Sequence, residues 1–410
     1  MIAVAVLGHG VVGSGVVEVL ERSRASISKK AGTDLYVKKI LDIRDFSHLP
    51  YGHLFTKNFD EIISDPEIRV VVEVMGGISP AFEYVSAALR AGKSVVTSNK
   101  ELVAAKGAAL VQLAREHGQN FLFEASVGGG TPIIRPLHQS LVADEIDEIV
   151  GILNGTTNFI LTKMIQENMG FDEALKIAQK LGYAEANPAA DVEGLDTCRK
   201  ICILASLAFG SHVYPDKVEM QGITNITLED VQYAEDENCV IKLLGQTRRI
   251  DGKCFVSTGP CLVSKGSPLA RVDDVFNAIL VRGEVTGDVV FYGKGAGKLP
   301  TASAVVSDII DCVTAEGPIA TLQWSDSDGS NVIDAREDIC PRYLRCRGQG
   351  LLAKIGAVFG EVHILRRPGK PADEEAFTTA PVSGYELEEK LSALASQGVE
   401  VLSNLRVWRP

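Results

Sequence analysis

The sequence predicts an α/β protein: a doubly wound parallel sheet, then an α+β domain, then a small C-terminal α+β unit. Three observations carry this reading. In the first 125 residues, short apolar and β-branched blocks alternate with blocks of helical period, as strands buried on both faces between helices require. A glycine-rich turn stands between the first strand and the first helix. Past residue 126 the order changes, with helical blocks first and alternating strands after, the pattern of a separate sheet.

Taken in order, the predicted strands of the first domain (1–125) are IAVAVLG (2–8), LYVKKILDI (35–43), RVVVEVMG (69–76), KSVVTS (93–98) and NFLFEA (120–125). Helices fall at 80–93 and 100–118. The second domain (126–297) reads as helices at 132–141, 156–168, 171–181 and 191–209, followed by strands at 240–250, 254–259 and 287–295. The block 298–313 reads as one more helix, and the stretch to 315 is expected to return to the first domain. SDSDGSN (325–331) makes a linker before the third unit, 341–410.

The totals exclude several classes. The net charge of −12, with no Lys/Arg run, argues against nucleic-acid binding. Apolar stretches fall short of the roughly 20 residues needed to cross a bilayer, so no membrane partner is expected. MIAVAVLGHG reads as a first strand rather than a leader. Eight cysteines without a CxxC pair read as reduced thiols, consistent with a cytoplasmic location.

Chemistry concentrates in a few motifs. VAVLGHGVVGSG sets Gly8, Gly10 and Gly13 in G-x-G-x-x-G spacing between a strand and a helix. Such a turn lets the backbone approach a pyrophosphate at the helix N-terminus, so a Rossmann-type dinucleotide site is expected. The second strand ends near Asp42–Asp45. An acid there would hold a ribose 2′-OH and Arg44 a 2′-phosphate, so both NAD and NADP fit, with a tilt to NADP. His9 reads as a variable position of the loop. In VVTSNKELVAAKG, Asn99 and Lys100 follow a strand at the sheet's ligand-binding edge, either as a helix cap with a solvated lysine or as site residues.

GYAEANPAADVEGLDTCRK (182–200) gathers Glu185, Asp191, Glu193, Asp196, Arg199 and Lys200 before the uncharged ICILASLAFG. One reading makes these a cap and an i,i+4 pair on an exposed helix. The other starts from residues 201–209, apolar on every side, which predict a buried helix. Its charged first turns must then open into a cleft, because an unpaired buried charge costs several kcal/mol. Carboxylates there suit an ammonium, and Lys200 could exchange a proton with an alcohol or carbonyl oxygen. EASVGGGTPII (124–134) is a hinge or a site whose carbonyls take a hard cation. GILNGTTNFI (151–160) is a strand–turn–helix junction, and GKGAGKLPTA (293–302) a second glycine turn before a helix.

Six segments in order, VLGHGVVGSGV, VVTSNKELVAAKG, FEASVGGGTPII, GILNGTTNFIL, AQKLGYAEANPAADVEGLDTCRK and GAGKLPTASAVVSD, resemble the homoserine dehydrogenase family over residues 1–315. The resemblance implies reversible NAD(P)H-dependent reduction of L-aspartate 4-semialdehyde to L-homoserine, on the route to threonine, isoleucine and methionine. It implies Lys200 as proton donor, and Glu185, Asp191 and Asp196 at the amino-acid end of the substrate, with Gly155, Thr156 and Tyr183 nearby and Lys100 near substrate and cofactor. Gly8, Gly10, Val12, Gly13 and Gly76 would line the dinucleotide and Gly295 would close on it. Glu124 with the backbones of Val127, Gly129 and Thr131 would match a monovalent-cation site, usually sodium. The family's middle sheet implies a homodimer, or a higher homo-oligomer.

This chain departs from the family at Asn187, where Asp is usual, and at Thr131, in GTP rather than GIP. PRYLRCRGQGLLAKIGAVFGEVHIL (341–365) resembles the start of an ACT-like regulatory domain, with RGQG in place of its usual Asp-x-Pro-Gly turn, so a threonine sensor and a degenerate tail both fit. Two rivals are a thioester-forming semialdehyde dehydrogenase using Cys198 and a non-catalytic sensor.

Overall fold

The computed structural model describes residues 1–319, 322 and 324–409, so Pro410, the last residue of the expected third unit, lies outside the described residues. The first domain is a six-stranded sheet of β1 (Ile2–Leu7), β2 (Leu35–Leu41), β3 (Phe55–Thr56), β4 (Ile68–Glu73), β5 (Ser94–Thr97) and β6 (Phe121–Leu122). Its order is β3-β2-β1-β4-β5-β6, with every pairing parallel. The connections carry α1 (Val11–Arg22), α2 (Arg24–Ala31), α3 (Asp60–Ile63), α4 (Ala81–Arg90) and α5 (Lys100–Glu116). Val4–Leu7 and Val70–Val72 are buried, as strands covered on both faces must be. The chain steps outward from β1 to β2 and β3, then crosses back to β4 on the other side of β1, and this reversal opens a ligand crevice at the carboxyl ends of β1 and β4.

The second sheet begins with β7 (Ile146–Ile152). The helices α6 (Gly155–Glu167), α7 (Phe171–Lys180), α8 (Ala189–Val192) and α9 (Leu195–Phe209) follow. Then come β8 (Glu219–Met220), α10 (Leu228–Asp236), β9 (Cys239–Ile250), β10 (Lys253–Ser264), β11 (Phe276–Gly283) and β12 (Gly287–Lys294). Next, α11 (Lys298–Thr314) packs on α1, where a Cβ at Gly15 would lie 2.8 Å from the Lys298 carbonyl oxygen. The chain ends with β13 (Ile339–Cys340), β14 (Arg342–Arg347), α12 (Leu351–Phe359), β15 (His363–Leu365), β16 (Glu374–Thr378), β17 (Val382–Ser383), α13 (Gly384–Ser396) and β18 (Glu400–Trp408).

The C-terminal βαββαβ run has strand order β18-β14-β16-β15, a split-βαβ arrangement. It is not a free appendage. Strand β18 pairs in parallel with β10, so the tail and the middle domain share one continuous sheet, β12-β11-β7-β9-β10-β18-β14-β16-β15.

Two expected helices differ. The block 132–141 forms a wide turn at Pro136–Ser140 rather than a regular helix, and the amides of Ile133, Ile134 and Arg135 at its start donate to Glu124. The block 191–209 is broken into α8 and α9 at Gly194, whose φ of 89° is a left-handed conformation that glycine adopts without a steric penalty. Helix α9 is buried from Thr197 to Ser206 apart from Arg199, as its all-round apolarity demands. All eight cysteines are unbonded, and no described helix is long and apolar enough to cross a membrane.

Candidate active site at the domain junction

The nucleotide edge is built by the turn after β1. A Cβ at Gly13 would lie 2.0 Å from the Gly8 carbonyl oxygen, so only glycine lets α1 start this close to the strand. His9 is buried; its amide donates to Asp42 Oδ2 at 2.7 Å and its ring packs edge-on against Phe46, Tyr51 and Phe55. Asp42, directly after β2, also accepts from the Arg44 amide (3.0 Å), Nε (3.0 Å) and Nη2 (2.8 Å). Its carboxylate is thus fully engaged, while the Arg44 guanidinium lies 5.0 Å above the Phe46 ring and keeps an exposed edge. After β4, the buried Glu73 accepts from the Met75 amide (2.8 Å) and the Thr97 hydroxyl (2.6 Å) and so shapes the loop containing Gly76. This glycine cradle fits a dinucleotide.

A cavity of about 640 Å³ opens beside it, walled by both domains. Val12, Ser98 and Lys100 come from the first. Asn154, Gly155, Thr156, Tyr183, Asp191, Asp196 and Lys200 come from the second, with Val275 and the turn Lys294–Gly297 across from them. Lys200 Nζ is buried and donates to Asp196 Oδ2 (2.8 Å) and to the Leu153 carbonyl (2.7 Å). Lys100 ion-pairs with the other Asp196 oxygen. Asn154, the N-cap of α6, donates from Nδ2 to both Asp191 Oδ1 (2.7 Å) and Asp196 Oδ2 (2.8 Å).

The electrostatics follow from burial and these partners. Burial pushes the Lys200 ammonium below its ordinary pKa, and Asp196 only partly offsets that. Burial alone would raise Asp196, but Lys200 and Lys100 hold it well below the usual carboxylate range. Burial raises Asp191, which faces the cavity with a single amide donor. The site therefore combines a buried amine of lowered proton affinity with a carboxylate wall, an arrangement suited to proton exchange with an uncharged oxygen beside an ammonium.

In the loop 124–131 the Glu124 side chain is engaged within the fold. The Glu124 carboxylate accepts from the amides of Ile133 (2.7 Å), Ile134 (3.0 Å) and Arg135 (2.6 Å). A cation there would draw on main-chain carbonyls. Among the described residues no three His, Cys, Asp or Glu side chains gather as a metal cluster. Val127 and Gly129 reach the cavity wall, Thr131 is buried behind it, and a Cβ at Gly129 would lie 2.3 Å from the Gly295 oxygen.

Of the expected site residues, Val12, Lys100, Val127, Gly129, Gly155, Thr156, Tyr183, Asp191, Asp196, Lys200 and Gly295 meet at this cavity. Glu185 does not; it is exposed, two residues beyond Tyr183. Gly8, Gly10, Gly13, Gly76 and Arg44 belong to the adjoining crevice rather than the cavity wall. Sequence reasoning missed Asn154, whose signal was its place as cap before Gly-Thr-Thr. Cys198 is buried against the Pro215 carbonyl, away from the cavity, so it offers no thioester-forming nucleophile.

Comparison with known proteins identifies the family. The family description "Homoserine dehydrogenase, NAD binding domain" matches residues 8–124, and "Homoserine dehydrogenase" matches 132–310. A homoserine dehydrogenase of Bacillus subtilis is 45% identical over 314 residues, 75% of this chain and 72% of the relative. The crystal structure of a homoserine dehydrogenase from Thiobacillus denitrificans superposes with a TM-score of 0.91 at 35% identity, covering 99% of this chain and 98% of that one. A hyperthermophilic archaeal homoserine dehydrogenase mutant in complex with NADPH superposes at 0.66 with 30% identity, covering 76% and 97%. Matched in both its nucleotide and its catalytic halves, the chain belongs to the homoserine dehydrogenase family, NAD(P)-dependent oxidoreductases that interconvert L-aspartate 4-semialdehyde and L-homoserine.

Proposed function

We propose that Lys200 is the acid–base residue of this reaction. It gives a proton to the nascent alkoxide when the aldehyde is reduced, and in the reverse direction takes one from the homoserine hydroxyl. The observation that supports this most directly is its amine, buried at the cavity between Asp196 and the Leu153 carbonyl. When bound in the glycine cradle, the nicotinamide cofactor would supply a hydride to the aldehyde carbon or accept one back. Asp196 holds Lys200 and Lys100 in place, and Asp191 takes the substrate ammonium. Thr156, Gly155 and Tyr183 shape the pocket around the amino-acid end, and Glu185 is assigned to the same end by family likeness alone. Lys100 lies where it can meet both substrate and cofactor.

NADP is the preferred cofactor on this reading, because Asp42 has no oxygen left for a ribose hydroxyl whereas Arg44 presents a free guanidinium edge. A monovalent cation, sodium by family likeness, would be held by main-chain carbonyls of Glu124, Val127, Gly129 and Thr131. The open edge at β12, with Val290 and Tyr292 exposed, suits a homodimer built through the middle sheet. The C-terminal unit is ACT-like and the enzyme cytoplasmic, serving threonine and methionine synthesis.

Initial rates with L-homoserine, followed by nicotinamide absorbance with NADP and then NAD, test this. Faster turnover with NADP is expected. A preference for NAD overturns the cofactor assignment, and turnover with neither overturns the whole reading. Threonine added to the same assay reports whether the tail is a sensor.

A further inference from the structure

Lys100 and Lys200 come from different domains, and both meet one carboxylate. Something must hold the two helices in register. Beside the Lys100–Asp196 pair lies a second pair between the same helices: Arg199 Nη2 meets Glu101 Oε1 at 2.9 Å. Neither residue lines the cavity. Both are partly buried, with side chains 20% and 35% exposed.

The signs are informative. Helix α5 presents plus then minus, Lys100 then Glu101. Helix α9 presents minus then plus, Asp196 then Arg199, three residues apart and hence on one face. In the observed crossing both contacts are attractive. Turning one helix end for end would set Lys100 against Arg199 and Glu101 against Asp196, so the arrangement excludes its alternative as well as favouring itself.

We propose that Glu101 and Arg199 are a positioning pair that fixes the N-terminus of α5 against α9, so that Lys100 stays on Asp196 and Lys200 keeps its geometry and proton affinity. The inference rests on the assignment of Lys200 above. The charged groups that face Lys200 are Asp196 on its own helix, Lys100 from α5 and Asp191 from α8. When α5 loosens, Lys100 leaves and Asp196 no longer divides its charge between two ammonium groups. The ammonium form gains stability, and the pH at which homoserine oxidation switches on moves up.

The test is a double-mutant cycle on the full-length enzyme with Glu101→Gln, Arg199→Met and the double variant, reading kcat, KM and the pH profile of homoserine oxidation, with Arg199→Lys as the conservative control. Each single variant is expected to lose about 10- to 100-fold in kcat and to shift the rising limb to higher pH. The double variant should be no worse than either single, and Arg199→Lys should restore most of the rate. Single variants with unchanged kcat and limb, or losses that multiply in the double, overturn the pair. If Lys200→Ala keeps its turnover, the underlying assignment falls instead; if it is inactive while the cycle is additive, only the positioning role falls.

Discussion

At the scale of single residues, Lys200 illustrates how far a sequence motif reads. Asp196 and Lys200 are an i,i+4 pair, which on an exposed helix is worth only about 0.3–0.5 kcal/mol. The apolar run that follows was the sign that the helix is buried, and burial turns the same pair into a charged cluster at a cavity. Asn154 was visible as a helix cap, but its contacts were not: it lies 42 positions from Asp196 along the chain and donates to both Asp191 and Asp196. If Lys200 is the base, homoserine oxidation requires it neutral, so activity should rise with pH through its lowered pKa. Lys100→Met removes a neighbouring positive charge that disfavours the ammonium, so the rising limb should move to higher pH as well as the rate falling. A limb that stays in place or moves down contradicts this coupling. Arg44→Ala should raise KM for NADP while leaving that for NAD little changed, and an equal rise in both would deny the 2′-phosphate contact.

Among the elements, the turn between β1 and α1 was the most legible, because glycines at this spacing mark a turn too tight for a side chain at Gly13. Gly13→Ala would press a methyl into the Gly8 carbonyl. The strain should cost about 1–3 kcal/mol, felt as weaker cofactor binding with little change in the substrate pocket, and calorimetric titration with NADP would measure it. Unaltered affinity would mean that the turn does not form the site. Less legible was 132–141, whose apolar spacing suggests a helix. Glu124, nine to eleven residues upstream, accepts three amides that helix initiation leaves unsatisfied, a contact that local apolar spacing does not show. The break at Gly194 was visible as a glycine, but only the structure gives its positive φ.

For the whole molecule, the division into a parallel sheet followed by a mixed one was readable from the alternation of short apolar strands and helices. The continuous sheet was not. Its joint is β10 with β18, more than a hundred residues apart, and pairing at that distance leaves no local mark. The C-terminal unit is also locked to the middle domain by buried charge. Arg345 on β14 pairs with Asp230 of α10 at 2.9 Å and with Glu374 at 3.4 Å, while Tyr343 donates to Asp230 and Tyr233 to Glu374. Removing the guanidinium leaves Asp230 without a cation in a dry site. Arg345→Met should therefore destabilise the fold by about 3–5 kcal/mol, seen as a lower thermal midpoint, and an unchanged midpoint would show the lock to be dispensable.

The central claim is that one buried amine moves the proton, and turnover of Lys200→Ala tests it most directly. With folding confirmed by circular dichroism and cofactor binding by titration, kcat for homoserine oxidation should fall by about 10²- to 10⁴-fold, the usual worth of a positioned acid–base group. A folded, cofactor-binding Lys200→Ala enzyme with wild-type turnover would contradict the account.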